Sequence, residues 1–177
     1  MAANAASADG DGDDITSLQL VGHAVRTCLS VVGEKVPRAL VGLLSFSTDM
    51  HVITAPVQLD GNLVRSLSAQ VDLLHAEGVT NMWGAISQGL AMAQDMTRRG
   101  CAYVDVFLFT DGLPTESTSP PEGIAKALKT KYPHGIGGTS LHTFGFGPNI
   151  DSDLLLAVAQ VGNGIFKYVS DPGMVGT

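Results

Sequence analysis

Basic residues are few and unclustered. The 177-residue chain carries 10 Lys and Arg against 17 Asp and Glu, for a net charge of −7. Nucleic acid is gripped by dense Lys/Arg that neutralise phosphates, so it is excluded as the expected partner. No apolar run reaches the roughly 18 residues of a membrane-spanning helix. The first residues hold no basic stretch leading into an apolar one, so no secretory signal is readable. Two cysteines, Cys28 and Cys101, cannot build a disulfide framework. Both lie in apolar surroundings and are expected to be reduced core residues. The missing signal and the unpaired thiols lean the expectation toward an intracellular setting. Catalytic signatures are lacking too: there is no Gly-x-Ser-x-Gly elbow, no phosphate-binding Gly-Lys-Ser/Thr loop and no His-Glu-x-x-His. His23, His51, His75, His134 and His142 are scattered, without ligand spacing.

What is present is apolar substance, 45% of residues against 15% charged, enough for one domain with a sizeable core. Residues 1–14 are small or acidic and read as a disordered start or loop remnant. Their Asp9 to Asp13 run fails as a calcium loop, because the positions needing Gly and Glu hold Asp14 and Leu20. From Ile15 the pattern turns helical, with Leu18, Val21, Val25, Cys28 and Val32 on one face and Gly33 as a stop. Ala39–Phe46 reads as a buried strand, and His51–Thr54 as an antiparallel edge strand returning from the Ser47–Asp49 turn. Asp60 opens a helix carrying Leu63, Leu67, Val71 and Leu74, and the next helix presents Trp83, Ile86, Leu90, Ala93 and Met96. Tyr103–Phe109 is a strand ending in the polar turn Thr110–Pro114. Residues 121–132 form a short helix that Pro120-Pro121 would start. Ser140–Phe146 is a strand, Asp151 caps a helix through Val161, and Gly164–Val169 is a last strand.

Strands alternating with helices predict an α/β fold, a doubly wound and mostly parallel sheet with helices on both faces. The working site of such a sheet lies beyond the carboxyl ends of its strands. Two loops put polar groups there, one at Thr80 and one at Asp111. A hydroxyl and a carboxylate suit a hard cation such as Mg²⁺, which takes oxygen ligands and keeps several waters. An undercompensated ion can then draw a carboxylate from a partner protein. The plainer alternatives are a helix cap for Thr80 and an Asp-Gly turn for Asp111.

Thr110-Asp111-Gly112 after an apolar strand, Gly78-Val79-Thr80-Asn81 before a helix and Phe46-Ser47-Thr48-Asp49 after a strand stand in a fixed order. His142-Thr143-Phe144-Gly145-Phe146-Gly147 and Val161-Gly162-Asn163-Gly164 follow. The ordered set resembles a von Willebrand factor A domain across residues 15–177. The resemblance implies a doubly wound, Rossmann-like sheet, a metal-ion-dependent adhesion site and a non-catalytic, protein-binding role. It carries the family's metal-site threonine to Thr80 and its late aspartate to Asp111.

The family's metal site also opens with Asp-x-Ser-x-Ser at the end of a first, central strand. The chain has no such motif and no apolar strand before Ile15, and it ends at Thr177 where a final helix is expected. The expectation is therefore an incomplete domain, and strands at Leu40 and Tyr103 that lack a shared neighbour. Thr80 and Asp111 alone should hold Mg²⁺ weakly, mostly through water, unless Asp9, Asp11 or Asp13 folds back. Three functions follow. The first is a protein-interaction module with a degraded metal site. The second is a metal-independent scaffold segment completed by a strand from another chain. The third is a metal-assisted hydrolase using Asp111.

Overall fold

The first described residue already fixes a helix end. Thr16 accepts from the Gln19 backbone and Gln19 reaches back to the Thr16 N–H, a capping box that opens α1 (Ser17–Lys35). The computed structural model describes residues 16–169, so the expectation for residues 1–14 lies outside it. After α1 come β1 (Leu40–Phe46), β2 (Met50–Gln58), α2 (Gly61–Asp72), α3 (Met82–Arg98), β3 (Val104–Thr110), α4 (Ile124–Lys131), β4 (Thr139–Phe146), α5 (Ser152–Val161) and β5 (Phe166–Val169).

Three local readings change. Gly33 does not stop α1, which runs on to Lys35. A Cβ at Gly33 would stand 3.1 Å from Val64 Cγ2, so this glycine serves the close approach of α1 to α2. Pro120-Pro121 does not start α4. The Gly123 N–H donates to the Pro120 carbonyl at 2.9 Å, making a turn with Pro121 in its second position. The helix then begins at Ile124, after Gly123 at φ 86°. The returning strand β2 is longer than His51–Thr54, and β1 meets it through register shifts between Val41 and Leu44.

β1 and β2 pair antiparallel, while β3, β4 and β5 form a parallel sheet in that order. Helices cover both faces. On one, α3, α4 and α5 bury Ile86, Leu90, Leu128, Leu155 and Val158 against Leu108 and Leu141. On the other, Leu29 of α1 and Leu67 of α2 pack with Leu59, Val41 and Ile53. This is the doubly wound α/β architecture expected, and it is open at its centre. The two sheets share no ladder, and among the described residues no strand lies between β1 and β3.

The space between them is a groove of about 1140 Å³, walled by β1 and β3, with α1 on one side and α3 on the other. The apolar stripe of α1 faces it: Leu18, Val21, Val25, Cys28 and Val32 all line the groove and stay half-buried. Only Leu20, Gly22 and Leu29 of that helix are fully buried. Both cysteines are free and half-buried groove-wall residues rather than core residues.

Candidate functional site at the carboxyl rim

The carboxyl ends of β1 and β3 meet one loop. At the end of β1, the Ser47 carbonyl accepts from the Asn81 N–H at 2.9 Å, and the Thr48 carbonyl accepts from Asn81 Nδ2 at 3.1 Å. Thr48 Oγ1 accepts from the Val79 N–H at 3.2 Å. Beyond β3, Thr115 binds Thr80 twice. Its hydroxyl accepts from the Thr80 N–H and its own N–H donates to the Thr80 carbonyl, each at 3.1 Å. The Gly78–Asn81 loop thus ties the two strand ends to one rim.

Gly78 makes this possible. Its φ is 67°, and a Cβ there would strike the Thr48 hydroxyl. Thr48 and Thr115 were not legible as site residues, because their bonds to the loop span 31 and 35 positions. The nearest signals were the Phe46–Asp49 motif, which contains Thr48, and the polar turn Thr110–Pro114, which Thr115 follows.

Thr80 and Asp111 share this rim. Both border the groove, and a Cβ on Gly112, next to Asp111, would lie 3.1 Å from Thr80 Oγ1. Asp111 is exposed and Thr80 half-buried. The plainer roles considered for them are filled by neighbours. Asn81 caps α3 by accepting from the Gly84 N–H at 2.9 Å. The turn after β3 is tied by the buried Thr110, whose hydroxyl accepts from the Gly112 N–H at 3.4 Å and lies 3.3 Å from the Gly112 carbonyl it donates to. At this point of the rim the Thr80 hydroxyl and the exposed Asp111 carboxylate border one edge of the groove. Among the described residues no three His, Cys, Asp or Glu side chains converge. That donor set suits a hydrated, oxygen-seeking ion and falls short of a closed cage. Asp9, Asp11 and Asp13 lie outside the described residues.

Beneath the rim, burial pushes the Cys28 thiol above its ordinary value of 9.0, since the thiolate would lose its water. On the amino-terminal half of β3, His142 Nε2 lies 3.2 Å from Asp105 Oδ1 and His142 Nδ1 accepts from the Ile165 N–H. That pair stands apart from the rim, at the other end of the strand.

Comparison with known proteins follows the same lines. The family model described as von Willebrand factor type A domain matches residues 13–168. No curated protein matches. Among solved structures, the von Willebrand factor type A protein from Catenulispora acidiphila superposes with a TM-score of 0.71 at 18% identity, over 89% of this chain and 35% of that one. The ArnB paralog VWA2 from Sulfolobus acidocaldarius gives 0.60 at 16% identity, over 93% and 40%. Proximal thread matrix protein 1 from the mussel byssus, described with a zinc-occupied MIDAS motif, gives 0.57 at 16% identity, over 90% and 40%. The chain thus spans well under half the length of these three structures, and at such identities the likeness shows the fold. Among the described residues no helix is long and apolar enough to cross a membrane. With the family model covering most of its length and the rim built from the ordered motifs, the chain belongs to the von Willebrand factor type A domain family.

Proposed function

We propose that this domain is a non-catalytic protein-interaction module whose contact surface is the carboxyl rim carrying Thr80 and Asp111. Its metal-ion-dependent adhesion site is reduced to these two side chains. The observation that carries the reading is the Thr80 hydroxyl 3.1 Å from the position of a Cβ on Gly112, the residue next to Asp111. Domains of this family generally bind other proteins, and the mussel relative is described with zinc in its motif. Here Thr80 and Asp111 would hold Mg²⁺, mainly through its waters. The bound ion would supply a positive charge able to attract a partner's carboxylate.

Two oxygens cannot strip the ion of its waters, so binding is weak. Calorimetric titration with Mg²⁺ is expected to give a dissociation constant of about a millimolar, or −4 kcal/mol. Asp111→Ala should abolish it, and Thr80→Ala should weaken it. Micromolar binding would overturn the reduced site, and undiminished binding in Asp111→Ala would overturn the rim as its location. Hydrolysis of model esters or phosphates lost in Asp111→Ala would instead favour the hydrolase reading.

A further inference from the structure

The basic residues are less scattered in the fold than their number in the sequence suggested. Three of the ten, Lys126, Lys129 and Lys131, lie on the eight-residue α4, and residues 123–138 hold no Asp or Glu. The rest of the chain is left with seven basic residues against 17 acidic ones. All three lysines are exposed. Among the described residues the ion pairs are made by arginines and His142, and none by these lysines. A positive face on a chain of net charge −7 draws acidic partners and repels basic ones.

Beside this face lies an open cavity of about 470 Å³, within the range of roughly 300–1,000 Å³ usual for ligand pockets. Trp83, Pro121 and Ala127 give it apolar walls, and Thr130 and Lys131 a polar edge. Trp83 is half-buried in the first turn of α3, three residues after Thr80. Two sets of bonds hold the surroundings. Gln94 Nε2 donates to Tyr132 Oη at 3.4 Å, tying α3 to the end of α4. Thr115, bound to Thr80, accepts at its carbonyl from the hydroxyls of Thr118 and Ser119 at 2.9 and 3.0 Å, which fixes the loop leading to Pro120. Walls of tryptophan and proline take a large apolar side chain. Lys126, four positions before Thr130, stands on the same side of α4, so it and Lys131 meet the residues flanking that side chain.

The kind of occupant follows from both features together. Three lysines are too few to neutralise a nucleic-acid backbone. The chain's own acidic run has the right charge, but residues 2–14 hold no aromatic or large aliphatic side chain to fill the cavity.

We propose that α4 and the Trp83 cavity form a docking surface for an acidic linear peptide of a partner protein, one with a single large apolar side chain among Asp and Glu residues. That side chain enters against Trp83, and the carboxylates lie over Lys126, Lys129 and Lys131. Glu122, the acidic member of the lining, repels them on the opposite side and so sets the direction of the peptide. The proposal rests on the protein-binding reading of the domain and adds the partner's chemistry to it, but it needs no ion at the rim.

Trp83 is the one tryptophan in the chain, so its emission reads the cavity directly. The full chain is titrated in EDTA with a short synthetic peptide holding one central Phe among Glu and Asp. A saturable change in emission is expected, with a dissociation constant on the order of 10–100 μM that weakens in molar salt. Lys126→Gln with Lys131→Gln should weaken binding about tenfold while the circular dichroism stays unchanged, and Glu122→Gln should tighten it about twofold. EDTA separates this outcome from the rim: failure of Mg²⁺ to bind there leaves it untouched, whereas a peptide that binds only with Mg²⁺ present would put the partner on the rim and overturn the docking surface. Equal binding of a peptide with Ala for Phe, or of one with Lys for its acids, would also overturn it, as would no response at all or an unchanged affinity in the lysine variant. A peptide copying residues 1–15 that binds as tightly would assign the face to the chain's own acidic run, and tighter binding to phosphatidylserine vesicles would assign it to a membrane; either result refutes the proposal.

Discussion

Glycine positions show at single-residue scale how tightly the parallel sheet is built, and they predict opposite signs for one substitution. A Cβ at Gly164 would collide with the carbonyl of Leu141, a backbone group in the centre of β4 that no rotamer change can move. Gly164→Ala should therefore cost about 1–3 kcal/mol. Gly89 sits within α3, where a Cβ would meet Val106 Cγ1 at 3.4 Å, an ordinary contact. Gly89→Ala should stabilise, by up to about 1 kcal/mol of helix propensity. Urea unfolding of both variants checks the pair; equal effects would mean that the α5–β5 turn yields. Cys28 makes a pH prediction. Its folded value is raised above the ordinary 9.0 by burial, so the native state prefers the protonated thiol. That preference is fully present below the unfolded value and is lost as pH rises through the higher folded one. Stability of the Cys101→Ser chain should fall over this alkaline window, and Cys28→Ala should remove that part of the fall. An unchanged slope would place Cys28 in water.

α2 and α5 begin behind the aspartates that the sequence pointed to, Asp60 and Asp151, and such starts can be weighed. Asp60 accepts from the N–H groups of Asn62 and Leu63 at 2.9 and 2.8 Å, satisfying two of the free donors of α2. Asp60→Ala should cost about 1 kcal/mol, or a fall of about 2–4 °C in melting temperature for a domain of this size. Asp60→Asn should keep most of it; a full loss with Asn would mean that charge, not hydrogen bonding, holds this helix. Caps, periodic faces and apolar runs are local, which is why Asp151, Leu67 and the strand Thr139–Phe146 were legible. Gly33 and Pro121 misled because their reasons are not in their own segment. Gly33 answers to Val64 across a helix crossing, and Pro121 to a turn closed by Gly123. The stripe Leu18–Val32 was read correctly as a helical face. What it faces is the open groove between β1 and β3 and not a finished core, and only the fold could show that. At the rim, Thr80 and Asp111 stood out through their motifs. Thr48 stood in the Phe46–Asp49 motif, but its bond and that of Thr115 span some thirty residues, so neither showed locally what it holds.

At the scale of the molecule, one helix joins two unequal halves. The half with β3, β4 and β5 has the larger core, with Leu141, Thr143 and Val158 fully enclosed and Thr143 Oγ1 donating to the Leu155 carbonyl at 2.9 Å. The half with β1 and β2 is a two-stranded sheet whose β1 residues are all half-buried. α3 touches both: Met82, Ile86 and Leu90 lie in the larger core. On the other side, Met92 and Met50 approach the Cβ positions of Gly42 and Gly84 at 2.5 and 2.6 Å. A two-stranded ribbon is marginal unless packed, so the smaller half should open without the larger one. Each tenfold in exchange rate corresponds to about 1.4 kcal/mol of opening free energy. Amides of Leu40–Gln58 should therefore exchange at least about tenfold faster than those of Thr139–Phe146, as read by mass spectrometry on the free chain. Leu90→Ala removes a fully buried side chain from the larger core, at about 2–5 kcal/mol, and should narrow the difference by loosening the β3–β5 half. Equal rates in both segments, before and after that substitution, would mean that the halves already unfold as one unit and that the open centre carries no energetic cost.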